Sequence, residues 1–303
     1  MMQVFQILSD PILPVFAIAV IGYISGKLGK TTIDEARQIN KFAMNVLLPI
    51  FIFGLIAKAP ISTFSIKPVL AYLISQCLVF SLGYLIASKL FKRGNGEAIL
   101  LGFMGIFANN ALYVLPISVL LYGADGVLPI STIVTLDAII WMALAMIALQ
   151  LIRLGKFSVK NVAATVFTTP TLIGVFLGVI YSVAEWPLPG PLDTFVGFAG
   201  AGAAPIALYS LGVVMSEAKL NPDKLIATFS TIKIIVFPVA VWFALEFIAP
   251  NSPQRDLFLL GSAGPAGVTA LNLALYYNVR TEAIAQVIIY TSVLTLISLA
   301  ILA

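Results

Sequence analysis

Apolar residues run along this chain in long blocks separated by short polar or charged punctuation, without the strict alternation of a half-buried strand. A hydrocarbon core about 30 Å thick needs roughly 20 apolar residues per helical crossing. At that length the sequence divides into ten spans, near 7–26, 38–57, 68–88, 98–121, 127–151, 160–183, 193–215, 225–248, 256–277 and 283–302. Strands of a membrane barrel would show segments of about ten residues with alternating polarity, and the run IIWMALAMIALQLI at 139–152 has no such alternation. Connections such as 122–126 and 278–282 leave no room for a soluble domain. The first block contains a cleavage-like Ala17-Ile18-Ala19. It lacks a basic residue before the apolar run, carries Pro11 and Pro14, and stays apolar past Ala19, so it reads as a retained span.

Composition narrows the chemistry. Of 303 residues, 60% are apolar and 10% charged, and there is no histidine and a single cysteine, Cys77. That excludes a His or Cys metal cluster, a Ser-His-Asp triad, a Cys-His nucleophile and a disulfide framework, and no cofactor is expected. Cys77 reads as a small apolar filler. Thirteen of the 17 Lys and Arg fall in loops after the odd-numbered spans, against Lys58, Lys67 and Arg255 on the other side. By the positive-inside rule the basic loops, with Lys156, Lys160 and Lys219 among them, are cytoplasmic. Both termini are then extracytoplasmic, and the expected location is a bacterial inner membrane. The net charge of +4 reflects this topology, so the partner is lipid and nucleic acid is excluded.

A shift of 159 positions places Leu100-Leu101-Gly102 on Leu259-Leu260-Gly261, Gly105 on Gly264, Ala111-Leu112 on Ala270-Leu271 and Pro11 on Pro170. A shift of 156 places Pro49-Ile50 on Pro205-Ile206. Residues 1–152 and 153–303 thus read as two five-helix repeats, inverted because five is odd. Inverted repeats belong to secondary transporters, which bind substrate at mid-membrane on discontinuous helices in matching positions. Spans 4 and 9 fit: Asn109-Asn110 and Pro116 lie in one, and Gly261, Gly264, Pro265 and Gly267, with Thr269 and Asn272 following, in the other. Proline removes a ladder hydrogen bond and glycine weakens a helix. The half-helix N-termini that such breaks create suit a carboxylate.

At these residues the sequence resembles the auxin efflux carriers, which include the plant PIN auxin exporters and bacterial malate or malonate permeases. The resemblance runs through Ile39-Asn40-Lys41-Phe42 and Pro49, Asn109, Pro116 and Tyr122-Gly123, Ile139-Ile140-Trp141, Ser210-Leu211-Gly212, Lys233 and Pro238, and Pro265, Gly267 and Tyr277-Asn278-Val279. It implies the fold of sodium/proton antiporters and bile-acid symporters, an all-α membrane protein with crossed broken helices 4 and 9. It also implies a scaffold domain of helices 1, 2, 6 and 7, often dimeric, and a transport domain of helices 3, 4, 5, 8, 9 and 10. Elevator-like alternating access and a small carboxylate substrate such as malate, malonate or an auxin follow from it. Two departures stand out. PIN-type carriers have a proline at each crossing point where this chain has Ala108 and Ala270, which suggests a less permanently unwound crossover. Asp137 stands where those relatives carry glutamine.

Asp137 lies 12 residues from Asp125 and 16 from Arg153, roughly 18 and 24 Å along a helix, deep enough that an ionised carboxylate needs a partner or a proton. It is the candidate carrier of a coupling proton or sodium ion, with a structural hydrogen bond or an ion pair to Lys233 as the alternative. Lys233 is a candidate attractor of the substrate carboxylate. Asn109 and Asn110 are costly in lipid, so at least one should face a cavity. Thr269 and Asn272 are either ligands or helix-packing glue. Asn45, Tyr209 and Ser210, beside the Pro49 and Pro205 positions, either close the site or pack. Tyr113 is either an aromatic wall or lipid-facing, and Glu246 is interfacial. With no nucleophile–base pair and no Gly-rich phosphate loop, the chain reads as an ion- or potential-driven organic-anion carrier rather than an enzyme. The alternatives are a proton- or sodium-coupled carrier like the bile-acid symporters and a membrane sensor on a transporter fold.

Overall fold

The computed structural model describes residues 13–58, 65–154, 168, 170–216 and 222–302. The start of the first expected span at 7–12, the start of the sixth at 160–167, and Lys156, Lys160 and Lys219 lie outside them. The described residues are helical, with no strand beyond one isolated pair. The helices are α1 (Leu13–Lys27), α2 (Ile33–Ala57), α3 (Ile66–Leu90), α4 (Asn95–Ile106), α5 (Leu115–Tyr122), α6 (Val127–Ile152) and α7 (Pro170–Val183). They continue with α8 (Gly190–Ser216), α9 (Lys224–Ile248), α10 (Arg255–Ser262), α11 (Thr269–Tyr276) and α12 (Glu282–Leu302). Five of them, α2, α3, α6, α8 and α9, are long and apolar enough to cross a membrane.

Local chemistry sets several boundaries. Thr32 and Glu35 form a reciprocal cap at the start of α2, the Thr32 N–H donating to Glu35 Oε2 at 2.8 Å and the Glu35 N–H to Thr32 Oγ1 at 3.3 Å. Asp223 caps α9 by accepting from the Ile226 N–H at 2.8 Å. Three π-helical turns, Ala43–Leu47, Asn110–Val114 and Ile232–Val236, each run directly into a Leu-Pro or Phe-Pro step at Pro49, Pro116 and Pro238. A proline ring clashes with the carbonyl four residues back and supplies no N–H. Widening the preceding turn relieves that clash without ending the helix.

Burial is arranged for lipid. Along α3, Leu70, Ile74, Leu78, Leu82 and Leu85 are exposed while Ser75, Gln76 and Tyr72 are buried. Along α9, Val239, Trp242, Phe243 and Phe247 are exposed while Lys233 is fully buried. Leucine outside and polar groups inside is the pattern of a helix whose outer face meets hydrocarbon. Cys77 is exposed as well, so it fills no core gap.

The chain forms two compact units. The first comprises 1–64, 111–135 and 165–219, and the second 65–110, 136–164 and 220–303. In the first, α1 packs along the second half of α8, and α7 along the second half of α2. The α1–α8 contact is backbone on backbone. A Cβ at Gly22 would strike the Tyr209 carbonyl, and one at Gly212 the Ala19 carbonyl, as expected of close-packed membrane helices. A hydroxyl triangle closes one end of it: Tyr209 donates to Ser25 at 2.8 Å, and Thr31 lies 2.6 Å from Tyr209 and 3.0 Å from Ser25. Lys58 and Asp193 pair between α2 and α8. In the second unit, α3 packs against α4 and α9, α9 against α10 and α12, and α4 against the later part of α6. Gly212→Val forces α1 and α8 apart and should cost about 2–3 kcal/mol, the upper range for overpacking, read as a lowered midpoint of thermal unfolding in detergent.

Candidate functional site

Two helices of the second unit, α4 and α10, stop short of a full span. α4 stops at Ile106, and Phe107 turns extended at φ −84°, ψ 104° before the helical path resumes at Asn110. α10 stops at Ser262, and the path resumes at Thr269. The interruptions are joined to each other. Ala108 and Ala266 form an antiparallel pair, the Asn109 N–H donates to the Pro265 carbonyl at 2.8 Å, and the Gly267 N–H to the Phe107 carbonyl at 2.9 Å. Thr291 of α12 accepts from the Ala266 N–H at 3.1 Å. Backbone polar groups that the helices abandon are thereby paired within the protein, which is what a broken helix inside a membrane requires. The close approach requires glycine at 267, where a Cβ would collide with the Phe107 ring.

The alanines do not restore helix at the break. Ala108 sits in the extended segment, and its pairing partner is Ala266; Ala270 lies inside α11. The interruption therefore rests on cross-pairing between the two segments, with Pro265 as the sole proline in either one. The restarts at Asn110 and Thr269 are helix N-termini, the positive ends of their helices; at the second, the Ala270 and Leu271 N–H groups already donate to the Gly267 and Val268 carbonyls at 3.3 and 3.0 Å.

A buried polar cluster surrounds this bridge. Asp137, 1% exposed, opens a π-helical turn in α6 (Asp137–Met142). Its Oδ1 accepts from Gln76 Nε2 of α3 at 2.6 Å, and Gln76 Oε1 accepts from Trp141 Nε1 at 2.8 Å. No proline follows this turn to explain it, as none follows the π turn Ile86–Leu90 that ends α3, and π turns often lie at functional sites. Asn110 is 1% exposed, and its side chain lies beside Asp137 and Tyr72. Lys233 donates to the Ser262 carbonyl at 3.0 Å, and its Nζ sits 4.7 Å from the centre of the Phe237 ring. An ammonium on the last carbonyls of α10 suits the negative end of that helix. No carboxylate of the described residues lies within ion-pairing distance of it, so its link to Asp137 is through space rather than by contact.

Of the residues singled out from the sequence, Asn109, Asn110, Gly264, Pro265, Gly267 and Thr269 stand at or beside the bridge. Gly264, Pro265 and Gly267 are buried, and Asn109 and Thr269 are half-buried. Asn272 is exposed one turn into α11. Asn45, Tyr113 and Ser210 belong to the first unit. Asn45 is exposed on the widened turn of α2, Tyr113 is 1% exposed, which removes a lipid-facing role, and Ser210 donates to the Ile206 carbonyl at 2.8 Å. Tyr209 is committed to the hydroxyl triangle, and Glu246 pairs with Arg255. Sequence reading missed Gln76, Tyr72 and Thr291. A glutamine within a 20-residue apolar run was the available signal for the first; Tyr72 and Thr291 resemble ordinary membrane-helix residues.

This arrangement has relatives. A family model described as membrane transport protein matches residues 7–161 and 156–303. The chain belongs to this family of transporters, that of the auxin efflux carriers. A Rhizobium meliloti (strain 1021) protein named "Putative malonate transporter" is 24% identical over 295 residues, covering 94% of this chain and 91% of that protein. An "Uncharacterized transporter" of Methanothermobacter thermautotrophicus is 24% identical over 304 residues, covering 98% of each. The "Uncharacterized transporter YfdV" of Escherichia coli (strain K12) is 24% identical over 292 residues, covering 89% of this chain and 88% of that protein. The protein is a multi-pass membrane transporter, and the family is one of transporters rather than enzymes.

Replacing Gln76 with leucine strips Asp137 of its donor and Trp141 of its acceptor at once. The loss should be about 3 kcal/mol, the penalty of a buried charge left unpaired, seen as a lower unfolding midpoint in detergent; an unchanged midpoint would mean the cluster is not load-carrying.

Proposed function

We propose that the protein is a secondary active carrier of a small organic anion, with a carboxylate bound at the positive helix ends beside the paired interruptions. The observation that carries this reading is the bridge itself: two broken helices held together at Ala108 and Ala266, with Asn109 and Thr269 at their restarts. Such helix starts attract carboxylates, and Asn109 supplies a carboxamide beside them. The ammonium of Lys233, hydrogen-bonded to the carbonyl of Ser262 at the end of α10, adds positive potential nearby. The name of the Rhizobium relative points to malonate as the first substrate to try.

In this reading α3 to α6 and α9 to α12 form the transport domain of an elevator, and α1, α2, α7 and α8 its scaffold. Ten spans in two inverted repeats are supported by the packing inside each unit. In the first unit the pairs α1–α8 and α7–α2 exchange under the repeat relation, because α1 corresponds to α7 and α2 to α8. In the second, α3–α4 exchanges with α9–α10. Asp137 couples transport to a proton or sodium ion, supported by its burial and by the proline-free π turn it opens. The membrane is a bacterial inner membrane, with both termini outside.

Asn109→Ala tests the site directly. Purified wild-type protein should bind malonate saturably by calorimetry, and the variant should lose at least about tenfold in affinity, the loss of one charge-assisted hydrogen bond, while unfolding at a similar temperature. Unchanged affinity would take Asn109 out of the site.

A further inference from the structure

Three buried groups meet in the second unit with hydrogen-bonding capacity left over. Tyr72 of α3, Asn110 at the restart and Asp137 of α6 are 0%, 1% and 1% exposed. The Tyr72 hydroxyl, both polar atoms of the Asn110 side chain and Asp137 Oδ2 have no hydrogen-bond partner. They are neighbours: the Asn110 side chain is near enough to act on both of the others as a hydrogen-bonding group without completing a bond to either, and Asp137 acts electrostatically on Tyr72. Folded chains pair their buried polar atoms almost without exception, so a cluster of open ones is a place where something binds.

The surroundings hold these groups in position. Gln76 holds Asp137 through Oδ1 at 2.6 Å and is itself held by Trp141 at 2.8 Å, which leaves Oδ2 as the open oxygen of the carboxylate. The Tyr72 ring is wedged edge-on against Phe237 and Phe258, with centroids 5.5 and 5.9 Å away. Lys233, the cation of the neighbourhood, is committed to the Ser262 carbonyl.

We propose that Asp137 Oδ2, Asn110 Oδ1 and the Tyr72 hydroxyl oxygen are ligands of a monovalent cation that prefers oxygen, sodium being the one to test. One anionic and two neutral oxygens suit a hard cation of single charge. The described residues hold no group of three or more His, Cys, Asp or Glu that a multivalent metal would use. A proton neutralises Asp137 but leaves Asn110 and Tyr72 as they are, whereas a cation engages all three. This assignment rests on the carrier reading above and names its coupling ion. The coupling follows from position and charge. Asn110 adjoins Asn109, whose N–H holds the bridge, so a cation on Asn110 orders the helix start beside the substrate. Asp137 and the Lys233 ammonium sum to zero, and an added cation makes the region net positive, which favours an anion. Linkage then requires the anion to tighten the cation equally.

The test uses the purified full-length protein in detergent, comparing sodium chloride with choline chloride at equal ionic strength. Sodium should raise the unfolding midpoint saturably and tighten malonate binding. Tyr72→Phe keeps the ring and removes one ligand oxygen, so it should weaken the sodium response about tenfold; Asp137→Asn should abolish it. A sodium response unchanged in Tyr72→Phe overturns the ligand set, and a stabilisation that follows pH but ignores sodium overturns the cation in favour of a proton. Malonate binding that is equal in sodium and choline removes the ion site and leaves the carrier reading standing. Saturable sodium binding without any carboxylate binding does the reverse.

Discussion

A broken helix inside a membrane is possible only if the peptide groups it abandons find partners, because hydrocarbon offers none and each orphan costs several kcal/mol. In this chain two broken helices solve the problem for each other. The Asn109 N–H reaches Pro265, the Gly267 N–H reaches Phe107, and Thr291 takes the remaining Ala266 N–H. The pairing makes the interruption of α4 depend on that of α10 and α11, so neither can close without exposing the other. It also sets two helix starts, at Asn110 and Thr269, beside the paired segments.

The polar cluster extends the same constraint outward. Lys233 satisfies the last carbonyl of α10, Gln76 holds one oxygen of Asp137, and Trp141 holds Gln76. The charges are contained in a network that satisfies most of its members and leaves a compact set of atoms open. Outside it the helices present leucine, isoleucine and phenylalanine to lipid. A transporter needs this division: an apolar exterior that tolerates movement in the bilayer, and a polar interior rigid enough to select a ligand.

Much of this was legible in the residues. The unalternating apolar blocks gave the all-helical class, and Gly264, Pro265 and Gly267 together with Asn109 lie where two helices break, because glycine and proline weaken a helix for local reasons that need no tertiary information. Asp137 announced itself as a carboxylate too far from either end of its span. The pairing of Ala108 with Ala266 was not legible, since alanine is the best helix former and nothing local predicts that it will sit in extended backbone. That outcome is decided by long-range hydrogen bonds. Gln76 stood out as a glutamine in an apolar run, but its role was not legible, because it depends on which side of α3 faces α6. Tyr209, beside Pro205, could be read as closing the site, but its hydroxyl is spent on Ser25 and Thr31.

The central claim is that this chain moves a carboxylate by alternating access through a site at the paired interruptions. Uptake of radiolabelled malonate into proteoliposomes, preloaded with unlabelled malonate or left empty, tests it most directly. The account predicts saturable uptake that is accelerated severalfold by internal malonate, as expected when one site faces the two sides in turn. Flux that rises linearly with concentration and ignores internal malonate would contradict it.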